Sequence, residues 1–495
     1  MAEKVSLKTP DGRKVEFLKG GDFKSGGMKD VYFSLDGRHV VAFYREPVDG
    51  AARERLEKLV GSYRRNIFGM EGGNYYRDLF RWPESIVEHG GRTGIVVPIY
   101  DRRFFFSGGS LDGAEKEGKW FSSAKNFNMC LSPADRGSLL GFLKVCLSLT
   151  RAVKRLHSAG LAHSDLSYKN VLIDPSTGSA CVIDIDGLVV PGLYPPDVVG
   201  TTDFIAPEVV GTLHLPMGDP AKKLPCVETD LHALAVLIYH YLLHRHPLRG
   251  NARWSDDQDI QEKKEMGELA LFIEHPDDPR NRKLVEPNDG AFLPWIDTAR
   301  LPFTILGPFL QDLFVSAFVH NLHNPPGRPI ADDWEDALVK TTDLLEPCGN
   351  ASCPKGWYVV SDPSARPVCP YCGTPYPFPS LPYLDLYSSR DGREYRSDRH
   401  RVIVFSGLHL YRWHVSREVY PNEKLADELK SPVGYFMFHN GEWILVNQSL
   451  TSLMRKDSGE KIPVNQALKL RAGDEVILSA EKGGRVALVG LQNYL

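Results

Sequence analysis

The sequence predicts an α+β chain of more than one domain, and three features of it predict that class. Residues 13 to 45 alternate apolar and polar side chains around Gly20, Gly21, Gly26 and Gly27, which is the period of half-buried strands. From about residue 134 the period becomes helical. Beyond residue 380 short strand-like runs return between turn residues. Length agrees, since 495 residues exceed what one ordinary core organises.

Taken in order, the opening alternation gives a small sheet, and "AARERLEKLVGSYRRNIF" (51 to 68) sets Leu56, Leu59, Tyr63 and Ile67 on one helical face. "SIVEHGGRTGIVVPIY" (85 to 100) reads as two strands around the Gly90-Gly91 turn. "RGSLLGFLKVCLSLTRAVKRLHSAG" and "TDLHALAVLIYHYLLH" are long apolar-striped helices. Residues 347 to 382 are rich in Pro, Gly, Cys and Tyr. "RHRVIVFSG", "VGYFMFHN", "EWILVNQ" and "DEVILSA" then have the length and spacing of strands in a small β-sandwich.

Composition narrows the function classes. With 42% apolar and 25% charged residues most of the chain should be folded, and a net charge of -4 without a Lys/Arg-dense segment leaves no footprint for nucleic acid or an anionic membrane. The opening "MAEKVSLKTPDGRKVEF" lacks the apolar stretch of a signal peptide, so a cytoplasmic location is expected. In that setting the cluster of Cys348, Cys353, Cys369 and Cys372 reads as metal ligands, not disulfides.

The strongest stretch is "HSDLSYKNVLID" (163 to 174), where Asp165 and Asn170 stand five positions apart on a loop, able to meet an acceptor hydroxyl and a metal ion respectively. It resembles the protein-kinase catalytic loop His-Arg-Asp-x-x-x-x-Asn, with Ser164 in place of the Arg and Ser167 in place of the usual Lys. Fourteen residues past Asn170, "VIDIDGLVVPG" resembles the metal-binding Asp-Phe-Gly segment, with Asp184 as the metal Asp, Ile185 at the Phe position and Asp186 at the Gly position. Asp186 is either a second carboxylate near the metal or a turn-former. "FIAPEVV", "TDLHALAVLIYH" and "GRPIADDWEDAL" (327 to 338) follow in the kinase order. They imply that Asp230 braces the catalytic loop and that Glu208 and Arg328 form a buried ion pair.

The resemblance implies a bilobal protein-kinase-like fold, with an N-lobe over 1–100, a hinge near Pro98 to Asp101 and a C-lobe over 101–345. It further implies ATP between the lobes, Asp165 aligning and deprotonating a hydroxyl, and magnesium on Asn170 and Asp184. Gly26, Gly27, Lys29, Val31 and Ala42 would line the nucleotide site. One position departs from the pattern: where Val-Ala-x-Lys should supply the phosphate lysine, the run is Val41, Ala42, Phe43, Tyr44. The loop "KSGGMKDVY" places Lys29 at the third-glycine position, as in the with-no-lysine kinases, which pair the same two changes. A lysine on a flexible stem can reach phosphates from either strand. Its acidic partner should be a helix Glu, with Glu57 favoured over Glu54. Ser164 at the arginine position leaves Thr201 and Thr202 weak candidates for activating phosphorylation.

The pattern Cys348-x4-Cys353, fifteen residues, Cys369-x2-Cys372 resembles a zinc ribbon over 346–380, whose four thiolates close a structural Zn2+ site. The tail over 381–495 resembles a forkhead-associated domain through "GEWILVNQS" and "LKLRAGDEVILS". Its phosphopeptide set is only loosely echoed by "HVSRE" (414 to 418) and Asn447. The leading reading is a bacterial-type Ser/Thr protein kinase acting on a protein substrate. The arrangement also resembles kinases that work with a von Willebrand-type protein and a metal-dependent phosphatase in tellurium-resistance-linked systems. A pseudokinase scaffold and a small-molecule phosphotransferase compete with it, the first through the missing strand lysine and the second through His-x-Asp-Leu-Ser.

Overall fold

The structure is a computed structural model. It describes residues 3–20, 23–25, 28–193, 200–286, 288–389 and 394–494, without the side chains of 23–25 and 291. Gly26 and Gly27, expected at the nucleotide site, lie outside the described residues. The chain divides into two compact units. One comprises Met1–Gly137, Gly141–Thr298 and Leu313–Glu335, the other Ser138–Leu140, Ala299–Asp312 and Asp336–Leu495.

In the first unit a five-stranded antiparallel sheet has the order Phe23–Ser25, Lys29–Phe33, His39–Tyr44, Arg92–Pro98, Ser85–His89. Its period of two sorts the third strand's side chains onto two faces. Val41 and Phe43 pack with Val5, Leu7, Val15 and Phe17 of the opening hairpin. Ala42 turns the other way, to Leu56, Ile86 and Ile95, with Val31 and Tyr44 beside them. The Gly90-Gly91 turn has positive φ at both residues, 58° and 75°, the conformation of a tight hairpin that glycine adopts without penalty.

The helical run after the third strand starts at Asp49, whose carboxylate accepts the Ala52 N–H at 2.8 Å. It continues as Gly50–Lys58, a wider turn at Leu59–Tyr63, and Arg64–Gly69. Leu56, Leu59 and Ile67 of the expected stripe are buried and Tyr63 is half-buried. Full burial is worth about 1.5–3 kcal/mol for each of the three aliphatic side chains. The helix Val227–Leu243 is buried continuously from Thr229 to Leu243, so its apolar surface runs all round it, as in a core helix. Glu208 and Arg328 form the expected pair, Oε1 with Nη1 at 2.8 Å and Oε2 with Nη2 at 2.7 Å. The same guanidinium donates to the Glu228 and Leu322 carbonyls.

In the second unit Leu345–Pro347 pairs with Trp357–Val359, and the cysteine cluster sits around this two-stranded ribbon. Two antiparallel sheets follow. One has the order Arg396–Ile403, Ser380–Ser388, Arg485–Asn493, Glu475–Ile477, Met454–Arg455, and the other His409–Leu410, Gly434–His439, Glu442–Asn447, Ala467–Lys469. They share one apolar core that includes Leu384, Leu386, Val402, Phe436, Trp443, Leu445 and Val489. The register between the outer strand Arg396–Ile403 and its neighbour shifts between Asp385 and Tyr387. Arg399 on that strand has φ 48°.

Candidate active site

Two short antiparallel pairs carry the catalytic-loop residues: Ala162–His163 with Leu188–Val189, and Val171–Asp174 with Ser179–Val182. The loop between them is held from below by Asp230, whose Oδ2 accepts the His163 backbone N–H at 2.7 Å and lies 3.1 Å from His157 Nε2. His163 Nε2 is 3.0 Å from the Ile183 carbonyl, and its Nδ1 accepts the Asp165 N–H at 3.3 Å. Together these bonds fix the turn that projects Asp165.

Asp165 is oriented from both sides. Thr201 N–H donates to its Oδ1 at 2.8 Å, and Asn170 Nδ2 donates to its Oδ2 at 3.0 Å and to its carbonyl at 2.9 Å. The Asn170 amide nitrogen thus faces Asp165. Ser164, at the arginine position, donates from its hydroxyl to the Gly187 carbonyl at 3.0 Å and ties the catalytic loop to the Asp184 segment. Asp184 has φ 60° and ψ 39°, left-handed values that Asp tolerates better than most residues, and a one-turn helix Ile185–Gly187 follows. Its carboxylate is half-exposed, whereas that of Asp186 is buried.

Lys29 lies in this cleft. Its Nζ is 2.8 Å from Asp184 Oδ1 and 2.8 and 2.7 Å from the two oxygens of Asp186. The Tyr44 hydroxyl also donates to Asp186 Oδ2. Burial by itself pulls the Lys29 ammonium down, but the Asp186 and Asp184 carboxylates more than offset this and hold it above the ordinary lysine value. Burial raises Asp186 in turn, and the Lys29 charge and hydrogen bonds outweigh that and keep the acid ionised. For Tyr44, burial and then Asp186 push the phenol well up, so it stays protonated as a donor. Lys29, Tyr44, His163, Asp165, Asp184 and Asp186 all line one cavity.

The expectation for the lysine's partner is corrected. Glu57 is exposed and pairs with Arg53 one turn earlier, Nε to Oε1 at 3.0 Å. Asp186 holds Lys29 instead. The Ile-Asp-Gly spacing was the one signal for it, because it sets a second carboxylate two residues from Asp184. Val31 and Ala42 are register partners on the sheet face that carries Tyr44.

In the second unit Cys348, Cys353, Cys369 and Cys372 bring their Sγ atoms within 4.8 Å of one another, with 348–372 at 3.5 Å and 353–369 at 3.7 Å. Asn447, weighed as a phosphopeptide contact, is buried. It gives its amide hydrogens to the Leu450 and Ile462 carbonyls and accepts the Leu450 N–H. His414 is likewise buried, against Asp343. Ser416 donates to the Gly483 carbonyl, and Arg417 reaches Ser388 Oγ at 3.5 Å.

Comparison with known proteins bears on the first unit. Residues 124–296 match the family described as protein kinase domain. Among curated relatives, the serine/threonine-protein kinase PSK1 of Saccharomyces cerevisiae is 30% identical over 118 residues, covering 22% of this chain and 8% of that protein. The serine/threonine-protein kinase PknD of Chlamydia pneumoniae is 29% identical over 139 residues, covering 23% and 13%. The chain thus spans only a small part of the length of the relatives it matches. Among solved structures, a Toxoplasma gondii rhoptry antigen kinase domain aligns with TM-score 0.41 at 12% identity, over 69% of this chain and 86% of that one. Among the described residues no helix is long and apolar enough to cross a membrane.

Proposed function

We propose that the chain is an ATP- and Mg2+-dependent Ser/Thr protein kinase that transfers the γ-phosphoryl group to a protein hydroxyl. The observation that carries this reading is the convergence of Asp165, Asp184 and Lys29 on one cleft, with Asn170 bonded to Asp165. Asp165 would receive the acceptor's proton, its orientation already set by Thr201 N–H and Asn170. Asp184, half-exposed, and the amide oxygen of Asn170 are hard donors of the kind magnesium takes, and the metal would neutralise phosphate charge. Lys29 would grip the phosphates in place of a third-strand lysine.

The cysteine cluster fits a structural zinc. Zinc–sulfur bonds of about 2.3 Å in a tetrahedron set sulfurs about 3.8 Å apart, close to the two separations observed. With four thiolates no position is open for chemistry, so the ribbon and the paired sheets serve as docking modules for substrate or partner. Phosphothreonine capture by the tail is not part of this reading, because the amide of Asn447 is consumed inside the fold.

The test is incubation of the full chain with γ-labelled ATP and Mg2+, alone and with candidate acceptor proteins, comparing wild type with Asp165→Asn. Label on Ser or Thr that disappears in the variant is expected. A chain that binds ATP and labels nothing would leave the scaffold reading in its place.

A further inference from the structure

We propose that Asp186 is the positioning residue for Lys29, taking the part that a helix-borne glutamate was expected to play. The inference rests on the kinase reading for its function, but the contact itself does not depend on that reading. Both Asp186 oxygens lie within 2.8 Å of the Lys29 ammonium, and a second donor, the Tyr44 hydroxyl, closes on the same carboxylate. The side chain is 8% exposed, so its ion pair is little screened by solvent. A carboxylate buried in this way is retained at a cost unless its partners satisfy it, and here lysine and tyrosine do.

Tyr44 stands where the third-strand lysine was expected. The residue that occupies the expected lysine position therefore orients the acid that holds Lys29. Lys29 and Tyr44 pair in the strand register, so lysine, phenol and carboxylate form one cross-strand clamp. Because Asp186 lies two residues from Asp184, the phosphate lysine is anchored to the metal-binding loop itself. On the helical run Gly50–Gly69 Glu57 turns to Arg53, whereas Asp184 and Asp186 face Lys29, with Arg55 acting on Tyr44.

The experiment reads Lys29 directly. The full chain is treated with limiting acetic anhydride at one fixed pH, and acetylation of Lys29 is quantified by peptide mass spectrometry. Label transfer from γ-labelled ATP with Mg2+ is measured in parallel. Asp186→Asn keeps the shape and removes the charge. It is expected to speed acetylation about tenfold or more, because the ammonium loses the charged oxygens that grip it at 2.8 and 2.7 Å and meets the reagent more freely. Transfer should fall by a similar factor. Asp186→Glu, which restores a carboxylate, should recover part of both, and Glu57→Gln should change neither by more than about twofold. Unchanged acetylation in Asp186→Asn, or an equal rise in Glu57→Gln, overturns the proposal. If wild type transfers no phosphate yet Asp186→Asn shows the acetylation shift, the transferase reading fails and the anchor stands.

Discussion

Lys29 and Tyr44 face each other across adjacent antiparallel strands, with the ammonium 5.5 Å from the centre of the phenol ring. Directly opposed positions set their Cβ atoms about 5 Å apart, so a lysine on either strand starts from nearly the same place. The exchange between the two strands is thereby a local one. Lys29→Gly is expected to lower phosphoryl transfer by about 10²–10³-fold, the scale of removing one preorganised donor to a developing charge. Adding Tyr44→Lys to that variant should restore part of the loss. Initial rates with γ-labelled ATP decide it, and full activity in Lys29→Gly alone would refute the relocation.

The four-cysteine cluster gives a second expectation. Cys353→Ser or Cys372→Ser should release the ion and loosen residues 347–382, leaving the first unit with its own core intact. Elemental analysis of wild type should find about one zinc per chain, as one four-thiolate site requires. Limited proteolysis should show new cleavage confined to the ribbon in the variants. Metal-free wild type would end this reading.

Glu208 and Arg328 supply a stability test. The guanidinium is 2% exposed, so Glu208→Gln leaves a buried positive charge with only carbonyl partners. Because Glu208 itself is 21% exposed, the lower end of the range for breaking a buried pair applies, about 3 kcal/mol. Urea unfolding followed by tryptophan fluorescence measures it. A loss below about 1 kcal/mol would place the pair among the weak surface bridges.

Acid should destabilise the first unit through two buried histidines. Burial lowers His246 to about 3 and His240 to about 4, with His240 adding to the effect on His246 while Asp203 opposes it and Arg249 assists it. The unfolded chain takes up these protons near pH 6.5 and the folded chain does not, so folded stability is complete above that pH and falls as pH drops toward 4. His246→Gln removes one of the two groups and should flatten the slope of urea midpoint against pH between 7 and 5. Parallel slopes for the two proteins would contradict the assignment.

What was legible in the sequence was the chemistry that needs fixed residue types at fixed spacing along one loop. The bond of Asn170 to Asp165 and the approach of Asp184 to the same cavity were legible that way, as were Asp230 and the Glu208–Arg328 pair, because each sits in a stretch with little freedom to vary its geometry. The placement of Lys29 in that cavity was legible for the same reason. Its partner was not. Glu57 carries a long side chain on an exposed helical face and is satisfied locally by Arg53, while Asp186 occupies a position where a turn-forming role is equally natural. Choosing between them requires the approach of the sheet to the Asp184 loop, which no local pattern encodes. Asn447 shows the same limit: its residue type suits ligand capture, and only the surrounding carbonyls reveal that it staples a turn.

The outer strand Arg396–Ile403 has a consequence for how the protein behaves at high concentration. Among the described residues, three of the four margins of the two paired sheets are strands of two or three residues, too short to template another chain, whereas this one is eight residues long. Its sequence, RSDRHRVI, studs the margin with Arg396, Arg399 and Arg401, and the register shift and the left-handed Arg399 bend the ladder that a second copy would have to extend. Charged side chains along the margin and a misaligned backbone together discourage strand-to-strand polymerisation. Replacing these arginines with β-branched apolar residues should therefore promote thioflavin-positive aggregates, with the first unit untouched.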